Sequence, residues 1–323
     1  MKLVAYELGK KPALGVVVKK QIIGVGPAIQ LLKKKKVPRA LAQNANFKKA
    51  AGSVLEAGAA PKDMIELLSR GQAWGKSLAK VASALAKGID PAKAPRGLFT
   101  PLANARLLAP IPKPAKITCI GMNYADHARE QGHEPPKSPI FFLKSGNTIC
   151  GPGDPIHLPP NSSQVDYEAE FAVVIGKRGT RIPEEEAYDY VAGYMILHDV
   201  SARDLQFSDG QWYRGKSCDT FAPTGPWIVT RDEIKDPHNL RISLKLNGET
   251  MQDSNTSNLI FNVPYLISYL SQSATWEVGD LISTGTPPGV GVFRKPQVFL
   301  KDGDSVSVTV EKLGTLTNSV VGP

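Results

Sequence analysis

The sequence predicts an α+β, mainly β fold in two parts: a small α-rich domain over residues 1–110, ending in a proline-rich linker, and a strand-rich domain over 111–323. Three observations lead there. Hydrophobic periodicity changes from helical to strand-like along the chain. Pro91, Pro95, Pro101, Pro110, Pro112 and Pro114 punctuate the passage between the two patterns. The charge also changes sign, with 20 Lys and Arg against 5 Asp and Glu up to Pro110, and 19 against 25 beyond it. A chain of 323 residues exceeds what one hydrophobic core ordinarily supports, and 42% apolar with 21% charged residues excludes wholesale disorder and fibrous repeats.

In chain order, LVAYEL and ALGVVV flank the turn residues GKKP and read as a hairpin. Pro61 fits the first position of a helix through KDMIELLSR, closed by Gly71; Trp74, Leu78, Val81 and Leu85 fall on one face of the next helix, closed by Gly88. The prolines between Asp90 and Pro114 exclude a regular element there. Eight short runs follow as strands: KITCIGM, PIFFLK, EFAVVIG, YMILHDV, GPWIVT, ISLKLNG, DLISTG and VSVTVEKLG, with NVPYLISYLS the clearest helix among them. No apolar run approaches the roughly 18 residues that span a bilayer, and the start lacks a signal peptide's apolar stretch, so a soluble, cytoplasmic protein without a membrane partner is expected. Cys119, Cys150 and Cys218 form no CxxC pair and read as structural thiols. Lys33 to Lys36 read as a solvated run, because no aromatic residues interleave with them.

The segment VDYEAEFAVVIG carries the most chemistry. If AEFAVVIG is a strand, Asp166, Glu168 and Glu170 project to one face at period two, placing two or three carboxylates side by side ahead of an apolar run. Carboxylates that close repel unless a cation stands between them, and a hard dication such as Mg²⁺ or Mn²⁺ would meet that need. An E-x-E alone equally marks an exposed edge strand. YMILHDV adds weight by ending an apolar strand in His198 and Asp199, which presents a third oxygen ligand at a sheet rim and gives an all-carboxylate site of Glu168, Glu170 and Asp199. Lys216, in YRGKSCDTF, offers a fixed positive charge or is simply a solvated lysine. In GMNYADHAREQGHEPP, His127 and Glu130 are spaced i, i+3, so that on a helical turn the carboxylate orients the imidazole as a general-base pair; a mixed-charge surface helix has the same spacing. His133 and His157 have no such partner and read as structural or surface residues. STGTPPGVG builds a rigid loop whose backbone N–H groups and the hydroxyls of Thr284 and Thr286 can hold a carboxylate; it lacks the Lys and Ser/Thr of a phosphate-binding loop.

The order IGMNYADHARE, PIFFLKSGNTICGPGDPIHLP, DYEAEFAVVIG, ILHDVSARDLQ, RGKSCDTFAPTGPW, LKLNGETMQDSNTSNLIF and DLISTGTPPGVG resembles the fumarylacetoacetate hydrolase family over roughly residues 115 to 320. The resemblance implies a mixed β-roll of that family's C-terminal-domain type, a homodimer, and Mg²⁺ or Mn²⁺ held by Glu168, Glu170 and Asp199. It also implies a lid-borne catalytic pair at His127 and Glu130, with Lys216, Arg203, Gln206 and Thr286 contacting the substrate's oxygens. The lysine-rich front segment is longer than the small N-terminal domains of the family.

A dication chelating a 2-oxo or 2,4-dioxo acid turns its carbon skeleton into an electron sink. The expected reaction is hydrolytic C–C cleavage of an acylpyruvate through a metal-stabilised enolate, with His127 activating water and Lys216 and the Thr286 loop stabilising charge. Decarboxylation of an oxaloacetate-type acid, hydroxymuconate isomerisation and sugar-acid hydrolysis or dehydration use the same site. A non-enzymatic reading has the basic front docking nucleic acid or another acidic partner. Against it, the front carries no nucleic-acid-binding signature, so no nucleic-acid partner is expected.

Overall fold

The computed structural model describes residues 1–130, 132 and 134–323; His133 lies outside the described residues. The opening strands Lys2–Leu8 and Lys11–Val18 pair antiparallel around Gly9 and Lys10, both at positive φ (59° and 65°), the geometry a two-residue hairpin turn demands. The hairpin does not stay within the front segment. Lys2 and Leu3 pair with Val229 and Ile228, so the first strand continues a long mixed sheet. Its order is Phe99–Pro101, Gln21–Gly24, Lys11–Val18, Lys2–Leu8, Ala222–Thr230, Val191–His198, Ala169–Ile175, Leu281–Ser283, Ile117–Gly121, Ile140–Lys144. A five-stranded sheet, Glu249–Asn255 to Arg241–Leu246 to Ser305–Val310 to Gly314–Val321 to Ile156–His157, packs against one face. The mainly β, α+β class expected from the sequence holds.

The linker differs from its expectation. Phe99–Pro101 pairs with Gln21–Gly24, and Leu107–Leu108 pairs with Lys2–Leu8. Short strand pieces fit between prolines because their remaining N–H groups reach an open sheet edge, where proline is tolerated. The helix after Pro61 starts later than expected, at Met64–Ser69, because the Asp63 side chain accepts the Glu66 N–H and sets the start.

Alternation along Ala169–Ile175 divides the core. Phe171, Val173 and Ile175 face the five-stranded sheet, with Ile242, Leu244, Val306 and Val308. Ala172 and Val174 face the other way, toward the front segment's helices, where Trp74, Leu78, Val81 and Leu85 are all buried as their spacing predicts. Helix Gly71–Gly88 packs there on helix Ala45–Glu56, and the Trp74 indole donates to the Val54 carbonyl at 3.3 Å. The apolar side of the front segment therefore roofs the long sheet, while Lys33 to Lys36 stay exposed. Among the described residues no helix is long and apolar enough to cross a membrane, and the three cysteines are free.

Truncating a side chain at this roof removes buried apolar contacts and leaves a cavity. Leu78→Ala is expected to cost about 3 kcal/mol in urea unfolding. An unchanged midpoint would mean that the helix does not pack on the sheet.

Candidate active site

The site forms at the end of the long sheet where Ala169–Ile175 begins and its neighbours Val191–His198, Leu281–Ser283 and Ile117–Gly121 finish. Glu170 opens the first of these strands, and Asp199 follows the end of the second. Glu168 lies just before Ala169, and its carbonyl accepts the Asp199 N–H at 3.0 Å. One oxygen each from Glu168, Glu170 and Asp199 lie within 4.8 Å of one another, all three residues buried.

Asp166 does not join them, contrary to the period-two expectation. The strand is interrupted between Asp166 and Ala169, which turns Asp166 aside. It accepts the Arg203 guanidinium (2.8 Å) and the backbone N–H groups of Gly291 (2.7 Å), Val292 (3.0 Å) and Tyr167 (2.8 Å).

Three buried cations answer the buried acids. The Lys216 ammonium donates to Glu168 (2.8 Å) and Asp199 (2.9 Å). Arg203 reaches Glu168 at 2.7 Å and Gln206 at 3.0 Å. Lys144, which the sequence analysis did not single out, donates to Asp199 (2.5 Å) and to the Val200 carbonyl (3.0 Å). Its signal was present: a charge closing the apolar strand PIFFLK is the same pattern as Asp199 closing YMILHDV. Burial works to raise the Glu168 carboxyl, but Lys216 and Arg203 overcome it and bring it down to about 2. Glu170 goes the other way. Burial, then the charges of Asp199 and Glu168, hold it well above the usual carboxylate range, although Ser283 and Lys216 pull in the opposite sense. Burial and Lys144 pull the His198 imidazole down to about 3, so it is neutral.

The STGTPPGVG loop does hold carboxylates, and they are the protein's own. Glu170 accepts the Ser283 hydroxyl and the Gly285 N–H, Glu130 accepts the Gly289 N–H at 3.0 Å, and Asp166 accepts the two N–H groups that follow. Thr286 donates to the Ala169 carbonyl (3.0 Å) and accepts from Gln252 (2.9 Å). Gln252 also accepts the Ala169 N–H at 2.8 Å; nothing in its sequence position marked it.

Helix Ala125–Glu130 brings His127 against the loop: the imidazole Nδ1 lies 2.9 Å from a Glu130 carboxylate oxygen, and its ring centroid 6.0 Å from that of Phe293. His127, Glu168, Glu170, Arg203, Gln206, Lys216 and Thr286 line one narrow cavity of about 90 Å³, whose apolar wall includes Phe142, Trp212 and Phe293. The residues singled out for catalysis, metal or substrate thus face one space, except Glu130, which stands behind His127, and Asp199, which is fully buried beside Glu168 and Glu170. His157 is exposed and outside it.

An all-oxygen donor set in which burial and then two like-charged neighbours hold one carboxyl well above its usual range fits a hard dication, which would relieve that repulsion. The fold that carries this triad beside a His–Glu pair is mixed and mainly β, with open mixed sheets. The chain belongs to the fumarylacetoacetate hydrolase family: the model described as fumarylacetoacetate (FAA) hydrolase C-terminal matches residues 116–321. The chain is 50% identical over 263 residues to oxaloacetate tautomerase FAHD2A, mitochondrial, of Bos taurus, covering 81% of this chain and 80% of that protein. Among solved structures it resembles fumarylacetoacetate hydrolase from Exiguobacterium antarcticum (TM-score 0.78, 32% identity, all of both chains). It also resembles a maleylpyruvate hydrolase from Sphingobium sp. SYK-6 in complex with manganese and pyruvate (TM-score 0.71, 28% identity, 100% and 99% of the two chains). The rat and human relatives, like the bovine one, are named mitochondrial, which overturns the cytoplasmic expectation. Compartment is set by a receptor-read address and not by the folded core, so a count of apolar runs carried no information on it.

Glu168→Ala or Asp199→Ala is expected to abolish Mn²⁺ binding in calorimetry while the protein stays folded. In the parent, Glu170 must lose its proton to ligate. Mn²⁺ affinity should therefore climb with pH, by up to about tenfold per unit while Glu170 remains protonated, with proton release into the buffer. A pH-independent affinity would remove Glu170 from the ligand set.

Proposed function

We propose that this enzyme interconverts the enol and keto forms of a short 2-oxo diacid of the oxaloacetate type, with Mg²⁺ or Mn²⁺ held by Glu168, Glu170 and Asp199. The observation that carries the reading is the His127–Glu130 pair standing over the carboxylate triad across a cavity of only about 90 Å³, which favours a four-carbon acid over a long acylpyruvate. The name carried by the bovine relative supports it.

When bound, the dication supplies Lewis-acid polarisation of the substrate's carboxylate and 2-oxygen, which acidifies the neighbouring carbon. The protein's residues do the rest. Glu130, 2.9 Å from Nδ1, orients the His127 imidazole as the base. His127 takes the proton from the enol hydroxyl and returns a proton to C3; the C2=C3 electron pair becomes the new C3–H bond, and C2 becomes a carbonyl. Lys216 and Arg203, both held in place by Glu168, set a positive potential for the anion, and Phe142, Trp212 and Phe293 limit access of water.

A second reading, C–C hydrolysis of an acylpyruvate, is favoured by the same pair's capacity to activate water and by the likeness to the maleylpyruvate hydrolase. The assembly that accompanies either reading is a homodimer covering the edge strand Ile140–Lys144, whose Ile140, Phe141 and Leu143 are 39%, 51% and 48% exposed. Light scattering should then return twice the chain mass of 34.8 kDa; a monomer would dismiss it.

His127→Ala should slow the decay of enol-oxaloacetate by about 10² or more while leaving Mn²⁺ affinity within about twofold; unchanged turnover would refute the role. In the parent protein, EDTA should abolish the activity. Acetylpyruvate cleaved faster than oxaloacetate tautomerises would select the second reading, and CO₂ release would select decarboxylation.

A further inference from the structure

We propose that Asp126 is a positioning residue: it latches helix Ala125–Glu130 to the strand Glu249–Asn255, and that strand sets the distance between His127 and the carboxylate triad. The inference rests on the functional reading above only for its activity measurement.

Six residues make too short a helix to be stable alone, so its place depends on tertiary anchors. Its entry is pinned by Asn123, whose side chain donates to the Phe261 and Thr284 carbonyls (3.1 and 2.8 Å) and accepts the Phe261 N–H (2.7 Å). Its far end is held by the Glu130 bond to the Gly289 N–H. Between them stands Asp126. One carboxylate oxygen accepts the Ser254 hydroxyl at 2.6 Å and the Asn258 amide at 3.1 Å. The other accepts the backbone N–H of His127 itself at 3.0 Å. Asn258 also donates to the Ser254 hydroxyl at 3.1 Å, closing a small ring of bonds. Both oxygens of Asp126 are thus committed to protein donors, and Asp126 is not among the residues lining the cavity.

What gives the latch its consequence is a second side chain on the same strand. Gln252 precedes Ser254 by two residues, so the two stand on one face about 7 Å apart. Gln252 accepts the N–H of Ala169, the residue between Glu168 and Glu170, and donates to Thr286 (2.9 Å) and the Pro287 carbonyl (2.8 Å). One strand therefore grips the ligand strand with Gln252 and the catalytic helix with Ser254. The offset between base and triad is then the offset between two neighbouring side chains on a rigid element. Misplacing a catalytic group by about 1 Å costs on the order of 10² in rate.

The test compares Asp126→Ala and Ser254→Ala with the parent full-length protein. Hydrogen exchange of the amides in 125–130 should be faster by about tenfold or more in both variants, with the amides of 169–175 unchanged and Mn²⁺ affinity within about twofold. Turnover should fall by about 10 to 10², and the effect of Asp126→Ala should vanish in a His127→Ala background, which a general loss of folding would not produce. Unchanged exchange in the helix, or an equal loss of turnover in the His127→Ala background, overturns the latch. Ser254→Ala decides alone should Asp126→Ala not fold. If the parent turns over no oxo acid, the functional reading fails while the exchange measurement still decides the latch.

Discussion

Three carboxylates within 4.8 Å of one another at the buried end of a sheet are the constraint to which most of the surrounding structure answers. In that setting like charges repel strongly, and each carries a desolvation penalty that only close cations and hydrogen bonds offset. Lys216 bridges Glu168 and Asp199, Lys144 takes the remaining side of Asp199, and Arg203 spans Asp166 and Glu168. Glu170, left with a hydroxyl and a backbone N–H instead of a cation, is the member that keeps a proton most readily. The asymmetry matters for the proposed chemistry: a dication held there would complete the site at its undercharged corner.

The loop from Ser283 to Val292 meets the same constraint with backbone rather than side chains. Its N–H groups reach Glu170, Glu130 and Asp166, three acids with three different neighbours: the carboxylate triad, the His127 imidazole and the Arg203 guanidinium. Gly285 and Gly289 adopt φ of +102° and +100°, and a Cβ at Gly289 would meet the Met251 carbonyl oxygen at 2.2 Å. Only glycine admits that backbone and that approach. A single loop thus ties the end of the sheet that bears the carboxylate triad to the helix that bears His127.

The front segment contributes through packing. Its amphipathic helices share one apolar cluster with Ala172 and Val174, on the sheet face to which Glu170 also belongs, and helix Gly71–Gly88 packs on the strands Lys11–Val18 and Gln21–Gly24 of that sheet. Its first hairpin extends the same sheet through Lys2 and Leu3. Rigidity at the sheet end, which a preorganised site requires, is drawn from both parts of the chain.

The sequence by itself determined the elements whose cause is local: the opening hairpin and the eight apolar strand runs, the buried helix face from Trp74 to Leu85, and the candidate acids, each marked by a charge at the start or end of an apolar run; Gln21–Gly24, Glu249–Asn255 and Gly314–Val321 it did not single out. Residue spacing within one element is enough for the former, because periods of two and 3.6 fix which side chains share a face. It misjudged Asp166, since the strand's interruption before Ala169 is not visible in the alternation, and it passed over Lys144, Gln252 and Asp126. Only the tertiary structure decided those. Asp126 meets Ser254 across 128 positions and Gln252 meets Ala169 across 83, and bonds made between distant segments leave no period in the sequence for a reader to count.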